Sequence, residues 1–195
     1  MSTSARRSYH HGDLRAELVR VAGEILDQGG VAALTLREAA RRAGVSHSAP
    51  YRHFADREAL LAEVVGQGFA QLSAALREAA PEGGHAVARA YLRYALSRPR
   101  RYRLMFAGGT SPTRRAGLAA QADSVLRVFE QTLPALGDAE RAGRGATAAW
   151  SLLHGLTLLL IDGYLGPVPE GADAERLVRE VVSLVRFAAK SAAAT

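Results

Sequence analysis

Apolar residues recur at every third or fourth position along most of this chain, which is the spacing that lines one face of an α-helix. Alternation of apolar and polar residues, which is typical of strands, does not persist anywhere in the sequence. The pattern predicts an all-α protein of about nine helices. The face of the first helix is made by Leu14, Leu18, Val21, Ala22, Ile25 and Leu26.

Glycines and capping residues divide the first part of the chain into short helices. The first helix is expected to end at Gly29 and Gly30, because glycine closes a helix in the left-handed conformation. Thr35 and Glu38 have the spacing of a capping box, in which a hydroxyl and a carboxylate satisfy free amides of the first turn. This box predicts a short second helix that ends at Gly44.

A third short helix is expected from Ser46, its cap, to about His53, with Pro50 in the first turn, where proline is tolerated. Asp56 caps a long fourth helix, and the sequence Pro-Glu-Gly-Gly at 81–84 then breaks the chain. The expected organisation is a flexible N-terminal arm at 1–12, a first domain at 13–73 and a larger second domain at 85–190.

The second domain is expected to contain five more helices, separated by proline and glycine breaks. Its most apolar run, Ala146–Ile161, is shorter than the roughly 20 residues that cross a bilayer, and it carries His154. We expect a buried helix there and no membrane partner. The predicted helices cover about 86–97, 101–106, 118–133, 140–163 and 173–190.

Composition narrows the class of protein. Of the 195 residues 48% are hydrophobic, which is enough to build a core and excludes a disordered chain. Cysteine is absent, which excludes disulfides, thiolate metal sites and a cysteine nucleophile. Arg6 and Arg7 have no apolar stretch behind them, so no secretory signal is expected and the cytoplasm is the expected location.

Charge favours a polyanionic partner. The formal net charge is +6 and the isoelectric point is about 10.3. Between Ala39 and Ala55 the charged residues are Arg41, Arg42 and Arg52, with no acid among them. Basic charge is therefore placed where a phosphate backbone would need it.

The second and third helices have the spacing of a helix-turn-helix. Ala40 is small enough for two helices to cross closely, Gly44 allows the turn, and Val45 can enter the core. The third helix is then free to enter a major groove with its N-terminal residues nearest the bases. A buried α-hairpin without nucleic acid is the alternative. It would require the polar positions from His47 and the neighbouring Tyr51 to be ordinary surface.

The segment from Leu34 to Phe54, followed by Asp56–Leu61, resembles the DNA-binding domain of the TetR family of bacterial regulators over about a third of the chain. Gly44, Val45, Tyr51 and Phe54 fall on signature positions. Pro50 departs from a common leucine and leaves the start of the recognition helix open. The resemblance implies DNA contacts by Thr35, Arg37, His47, Ser48, Ala49, Tyr51, His53 and Arg57. Ser46 and Arg52, in the same segment, are further candidate DNA-binding residues.

The resemblance also implies that the second domain binds a small molecule and forms a homodimer. The segment Trp150–Gly155 is similar to a Trp-His-Gly pattern of one TetR subfamily, and Arg103–Phe106 is similar to its short sixth helix. The last two helices carry more apolar surface than one small domain easily buries, although a monomer core remains the alternative. The expected interface residues are Leu153, Leu156, Leu160, Leu177, Val178, Val181, Val182 and Val185.

The expected ligand is small and largely apolar. His154 could donate to a ligand or be a core histidine, and the aromatic residues around it could line a pocket or simply fill the core. No cofactor and no metal are expected, because His10, His11 and Asp13 are neighbours on an N-terminal arm and lack a further ligand. The candidate pocket residues are Tyr91, Tyr94, Met105, Phe106, Phe129, Trp150 and His154.

An enzyme is not expected. His154 and Asp162 could serve as acid and base, but eight residues along one helix separate them by about 12 Å, too far to act on one atom. The basic run Arg98–Arg103 is more typical of a solvated helix connection than of a binding site. The sequence therefore predicts a ligand-responsive regulator, a repressor that binds a near-palindromic operator as a dimer. A DNA-binding activator or architectural protein without a ligand is the alternative.

Overall fold

The computed structural model describes residues 11–107, 112–132 and 139–167, together with residues 176, 177, 179, 180 and 183. Most of these residues are helical, and no strand occurs among them, which confirms the all-α class. Seven α-helices are described: α1 (His11–Ala33), α2 (Leu36–Arg42), α3 (Arg57–Ala79), α4 (Gly84–Ser97), α5 (Pro99–Phe106), α6 (Pro112–Thr132) and α7 (Ala139–Ile161).

The number of α-helices differs from the expected nine for two reasons. First, a 3-10 turn at Pro50–Arg52 replaces the third short helix. Second, most of the last expected helix, about 173–190, lies outside the described residues. A further 3-10 turn, Ala80–Glu82, lies in the break after α3. The arm predicted at 1–12 also lies mainly outside the described residues, and α1 already includes His11.

Packing divides the chain into two compact units inside α3, at Val65 and Gly66. The sequence predicts instead that the first domain continues to residue 73. The difference arises because α3 is one continuous helix whose first turns pack in the first unit, through Leu60 and Val64, while later turns pack in the second, through Leu72. The apolar positions of α3 are spaced evenly along the whole helix, so the sequence does not show where the boundary between the two units lies.

The core of the first unit is the apolar face of α1. Leu18, Val21, Ile25 and Leu26 are at most 1% exposed, and each such side chain stabilises the fold by about 1.5–3 kcal/mol when buried. Backbone torsions leave the helical region at Gly30, where φ is 73°, at the position expected for the helix end. One further turn follows, so α1 extends to Ala33.

The second unit is built around aromatic side chains. Tyr91 of α4 and Tyr102 of α5 are completely buried, and α7 contributes the buried Leu153 and Leu160. One helical stretch among the described residues, Arg57–Glu82, is long and apolar enough to cross a membrane. Half of the most apolar 18-residue segment of this stretch is buried inside the protein. A helix that packs in a protein core has the same length and composition.

Candidate functional site

A capped helix and a glycine turn build the first candidate site. Thr35 precedes α2, and its hydroxyl oxygen accepts a hydrogen bond from the backbone N–H of Glu38 at 3.0 Å, as half of the predicted capping box requires. Gly44 follows α2 with a φ of 68°, which favours glycine. The N–H of Val45 donates to the carbonyl of Ala40 at 3.0 Å and closes the turn.

The segment after this turn differs from the expected recognition helix. The N–H of Ala49 donates to Ser46, and that of Arg52 to Ala49, both with the three-residue spacing of a 3-10 turn. Pro50 has no N–H and so cannot make the α-helical bond to Ser46. The expectation of an α-helix from Ser46 to His53 is therefore wrong in geometry, although the chain turns at the expected place.

Polar side chains cover the outside of this segment, which we call the tip and define as residues 46–52. Ser46, His47, Ser48 and Arg52 are exposed, and Tyr51 is 57% exposed. Their neighbours Pro50 and Phe54 are buried, with Phe54 only 3% exposed. The tip thus presents donors and acceptors outward from an apolar anchor.

Paired and unpaired cations surround the tip. Glu38 accepts hydrogen bonds from Arg41 at 2.7 Å and from Arg42 at 2.8 Å, and these two guanidinium groups lower the pKa of Glu38 to about 2. The charges of Arg41 and Arg42 are thereby offset by a carboxylate. Arg37 and Arg52 are exposed and have no carboxylate partner among the residues that the structure describes.

The remaining predicted DNA-contact residues differ in exposure. Thr35 is exposed, whereas Ala49 and His53 are half-buried. Arg57 is also half-buried, and its guanidinium donates to the carbonyls of Leu34, at 2.8 Å, and Val31. Arg57 therefore holds the start of α3 against the connection between α1 and α2 by hydrogen bonds. Its position in the sequence does not predict this structural role.

A chain of four hydrogen-bonding side chains forms the second candidate site. The indole N–H of Trp150 donates to the hydroxyl of Tyr91 at 3.0 Å. The hydroxyls of Tyr91 and Tyr102 are 2.7 Å apart, and the hydroxyl of Tyr102 is 2.6 Å from Nδ1 of His154. Trp150, Tyr91 and His154 are among the pocket residues predicted from the sequence, whereas Tyr102 is not, because no motif marks it.

One of these bonds has a fixed direction. Because an indole N–H only donates, the hydroxyl of Tyr91 accepts from Trp150. Either hydroxyl can donate in the Tyr91–Tyr102 pair, and the tautomer of His154 decides whether Nδ1 donates to the Tyr102 hydroxyl or accepts from it. Burial lowers the pKa of His154 and raises the pKa values of Tyr91 and Tyr102, so all three groups are uncharged near neutral pH.

The other candidate pocket residues pack around this chain. The hydroxyl of Tyr94 donates to the carbonyl of Gly68 at 2.9 Å and lies 3.7 Å from the sulfur of Met105. The Phe129 ring meets Tyr91 edge-on at 5.9 Å. Phe106, Trp150 and His154 are half-buried, whereas Tyr91, Tyr94, Met105 and Phe129 are buried. The structure therefore joins five of the seven predicted residues, Tyr91, Phe106, Phe129, Trp150 and His154, in one cluster of rings, and it brings Tyr94 and Met105 into contact with each other.

A cavity of about 330 Å³ lies beside this cluster between α3 and α4. Only Tyr94 of the predicted pocket residues lines it; its other polar lining includes Arg89, Arg93, Ser97 and Glu78. The lining is mixed in polarity, unlike the largely apolar pocket that the sequence predicts.

The helix face on which the sequence places the subunit interface is partly buried in its own chain. Leu153 and Leu160 are 3% and 4% exposed and belong to the core of their own chain, while Leu156 is half-buried. Leu152 and Leu159 are 39% and 44% exposed on the same helix. Leu177 is half-buried. Val178, Val181, Val182 and Val185 lie outside the described residues.

Asp162, a candidate catalytic group in the enzyme alternative, is engaged at the end of α7. Its carboxylate pairs with Arg103, whose guanidinium also donates to the carbonyl of Ile161 at 3.0 Å. This pair satisfies a free carbonyl of the helix end.

A glycine turn that presents an exposed polar tip from a helical scaffold defines the class of helix-turn-helix DNA-binding regulators. Residues 18–64 match the family described as bacterial regulatory proteins, tetR family, and residues 85–185 match the tetracyclin repressor-like C-terminal domain. The chain belongs to the TetR family. It is a transcriptional regulator with a DNA-binding fold and is not an enzyme.

Solved structures agree with this assignment. A protein from Rhodococcus sp. RHA1, described as having unknown function, is 31% identical, with a TM-score of 0.76 over 93% of this chain and 98% of that one. A TetR-family transcriptional regulator from Mesorhizobium loti shares the fold at 19% identity, with a TM-score of 0.71 over 91% and 97%. A transcriptional regulator from Aquifex aeolicus shares it at 19% identity, with a TM-score of 0.65 over 88% and 99%. The comparison with curated proteins gave no match.

Proposed function

We propose that the protein is a homodimeric repressor that binds a near-palindromic DNA operator and is released from it by a small molecule. The observation that carries this proposal is the tip, where Ser46, His47, Ser48 and Tyr51 are exposed beside the unpaired cations Arg37 and Arg52. Side chains of this kind read base edges and hold phosphates. Thr35, Ala49, His53 and Arg57 complete the proposed contact set.

A dimer places two tips in successive major grooves about 34 Å apart. The face of α7 that carries Leu152, Leu156 and Leu159 supports such a pairing, since exposed leucines at helical spacing are typical of an interface between subunits. We propose this face, continued by Leu177 and Val178, Val181, Val182 and Val185, as the dimer interface. Light scattering that finds a monomer at micromolar concentration would contradict it.

The ligand is proposed to bind in the second unit, near the half-buried Phe106, Trp150 and His154. The half-buried imidazole of His154 lies beside the rings of Phe106 and Tyr102, with ring centroids 4.5 and 5.6 Å away. A ligand that favours one conformation of α3 would change DNA affinity, and DNA would change ligand affinity by the same factor.

An activator or architectural protein without a ligand is the second candidate, and one observation favours it. The hydroxyls of Tyr91 and Tyr102, the indole of Trp150 and Nδ1 of His154 satisfy one another, as they would in a filled core. A DNA affinity that stays unchanged when candidate small molecules are added, with none of them bound by the protein, would support this candidate over the repressor.

The test is selection of bound duplexes from a random DNA pool at stated salt concentration, using the full chain. The proposal predicts a two-fold symmetric consensus with half-sites one helical turn apart. A Tyr51→Ala and His47→Ala double variant is the matched control, because both side chains are on the exposed tip and the fold does not depend on them. Recovery of the same consensus by this variant, or of no consensus by the wild type, would contradict the proposal.

A further inference from the structure

The polar side chains of the tip can all donate hydrogen bonds. Residues 46–52 include two serines, a histidine, a tyrosine and an arginine, with no aspartate, glutamate, asparagine or glutamine. A guanidinium group only donates hydrogen bonds, while hydroxyl and imidazole groups can donate as well as accept. The tip therefore lacks the amides that pair with adenine and the carboxylates that accept from cytosine.

The carboxylates that flank the tip in the sequence are engaged within the protein. Glu38 accepts hydrogen bonds from Arg41 and Arg42. The carboxylate of Asp56 accepts a hydrogen bond from the backbone N–H of Ala59 at 2.7 Å and so caps the start of α3. Both carboxylates already have donors inside the protein, so the surface offered to DNA is dominated by donors.

Within the tip, His47 is the side chain best placed to discriminate between bases. The hydroxyl oxygens of its neighbours Ser46 and Ser48 are 3.2 Å apart, so one of them gives its hydrogen to the other. Serine also bonds to more than one base and discriminates little. The imidazole of His47 is exposed and has no hydrogen-bond partner among the residues that the structure describes. In a helix-turn-helix the first residues after the turn lie nearest the base edges, whereas Arg52 is the last residue of the tip.

A donor surface is complementary to one base more than to the others. In the major groove guanine presents two adjacent acceptors, N7 and O6, and no donor. Adenine presents N7 beside the N6 amino group, and cytosine presents only the N4 amino group. An N–H aimed between N7 and O6 of guanine therefore faces acceptors on both sides. The same N–H at adenine would face another donor, and two opposed donors leave both unsatisfied.

We propose that His47 reads guanine in the major groove, and that each operator half-site carries a guanine where the start of the tip enters the groove. The imidazole donates an N–H to the N7 and O6 edge of that base. This inference rests on the proposed DNA-binding function and names the base that the operator must carry. The exposed Arg37 and Arg52 then hold phosphates, which position the tip without reading sequence.

The test measures binding of the full chain to three duplexes. The first is the duplex selected from the random pool. In the second, one guanine of each half-site is replaced by 7-deazaguanine, which pairs with cytosine but has a C–H in place of N7. In the third, the same pair is changed to A·T, which keeps N7 and replaces O6 by an amino group. At the guanine that His47 reads, each change should weaken binding about tenfold.

Variants of His47 assign this discrimination to one side chain. His47→Ala should bind the selected duplex about tenfold more weakly and should no longer distinguish the three duplexes. Ser48→Ala is the matched control on the adjacent exposed residue. Its readout is the ratio of affinities for the three duplexes, which should remain that of the wild type. Circular dichroism verifies that both variants are folded.

A second pair of variants should redirect the specificity. Asparagine pairs with adenine through two hydrogen bonds, and arginine pairs with guanine in the same way. In a new selection from the random pool, His47→Asn should replace the guanine by adenine at this one position of the half-site. His47→Arg should retain the guanine.

Three results would overturn the inference while leaving the proposed function intact. They are a symmetric consensus without guanine in its half-sites, wild-type discrimination among the three duplexes by His47→Ala, and an unaltered consensus for His47→Asn. A wild-type chain that selects no consensus at all would overturn the proposed function, and this inference with it.

Discussion

The tip of the first unit and the aromatic cluster of the second use polar side chains in opposite ways. At the tip, Ser46, His47 and Tyr51 are exposed and supported by the buried Phe54. In the cluster, Tyr91 and Tyr102 are completely buried and bond to each other. The side chains that we propose to bind DNA are therefore exposed on an apolar anchor, whereas the polar groups of the cluster are buried and bonded to one another. Equivalent substitutions in the two regions should separate these roles.

The largest effect is expected at the anchor of the tip. Phe54→Ala removes a ring that is 3% exposed and lies under the guanidinium of Arg15 at 5.4 Å, and it should cost about 3–5 kcal/mol of stability. Tyr51→Ala, three residues away, should change stability by less than about 0.5 kcal/mol and instead weaken DNA binding. Denaturant unfolding of both variants checks this. A loss at Tyr51 equal to that at Phe54 would show that the tip is part of the core.

Removing one tyrosine hydroxyl should lower the stability of the protein in the cluster but not at the tip. Tyr102→Phe removes the hydroxyl that bonds to the hydroxyl of Tyr91 and to Nδ1 of His154, and should cost about 2 kcal/mol of stability. Tyr51→Phe makes the same change on an exposed ring and should leave the free energy of unfolding unchanged within about 0.5 kcal/mol. If the two variants unfold at the same denaturant concentration, the hydrogen-bond chain does not stabilise the second unit.

Removing the Thr35 cap at the start of α2 should have an intermediate effect on stability. Thr35→Ala removes the acceptor of the Glu38 N–H and should destabilise the protein by about 1 kcal/mol. Thr35→Ser keeps an equivalent hydroxyl and is the control. Thermal unfolding of the pair measures the difference, and equal midpoints for alanine and serine would mean that the capping bond contributes nothing.

The smallest effect on stability is expected when the pH is lowered. Because burial holds the pKa of His154 below its ordinary value of 6.5, the unfolded chain binds a proton that the folded chain does not. Stability should therefore be fully present above about pH 6.5 and decrease as the pH falls below it, until the pH passes the folded pKa. His154→Gln, whose amide oxygen can accept from Tyr102, should flatten this decrease. An unaltered pH dependence in the variant would assign it to other groups.

The helices of the first unit could be predicted from the sequence because their signals are local. The face of Leu18, Val21 and Ile25, the Thr35 cap and the Gly44 turn each depend on residues within about one or two helical turns. The geometry of the tip was predicted wrongly, although part of its cause is local: Pro50 lacks the N–H that would bond to Ser46 in an α-helix. The burial of Pro50 and Phe54 that accompanies the 3-10 turn is a tertiary property, which a local pattern does not give.

The second unit was less predictable because its helices are apolar on more than one side. On α7, Leu152 and Leu153 are adjacent in sequence, and only packing decides that Leu153 is buried while Leu152 is exposed. Similarly, nothing in the sequence joins Tyr102 to Tyr91 and His154.

The most direct test of the account is the affinity of the full chain for its selected duplex as a function of salt, for the wild type and for the Arg37→Ala and Tyr51→Phe double variant. The account predicts weaker binding by the double variant and a salt dependence reduced by about one phosphate contact, since the exposed guanidinium of Arg37 is lost. Identical affinity and salt dependence for the two proteins would contradict the claim that the exposed tip and its flanking cations bind DNA.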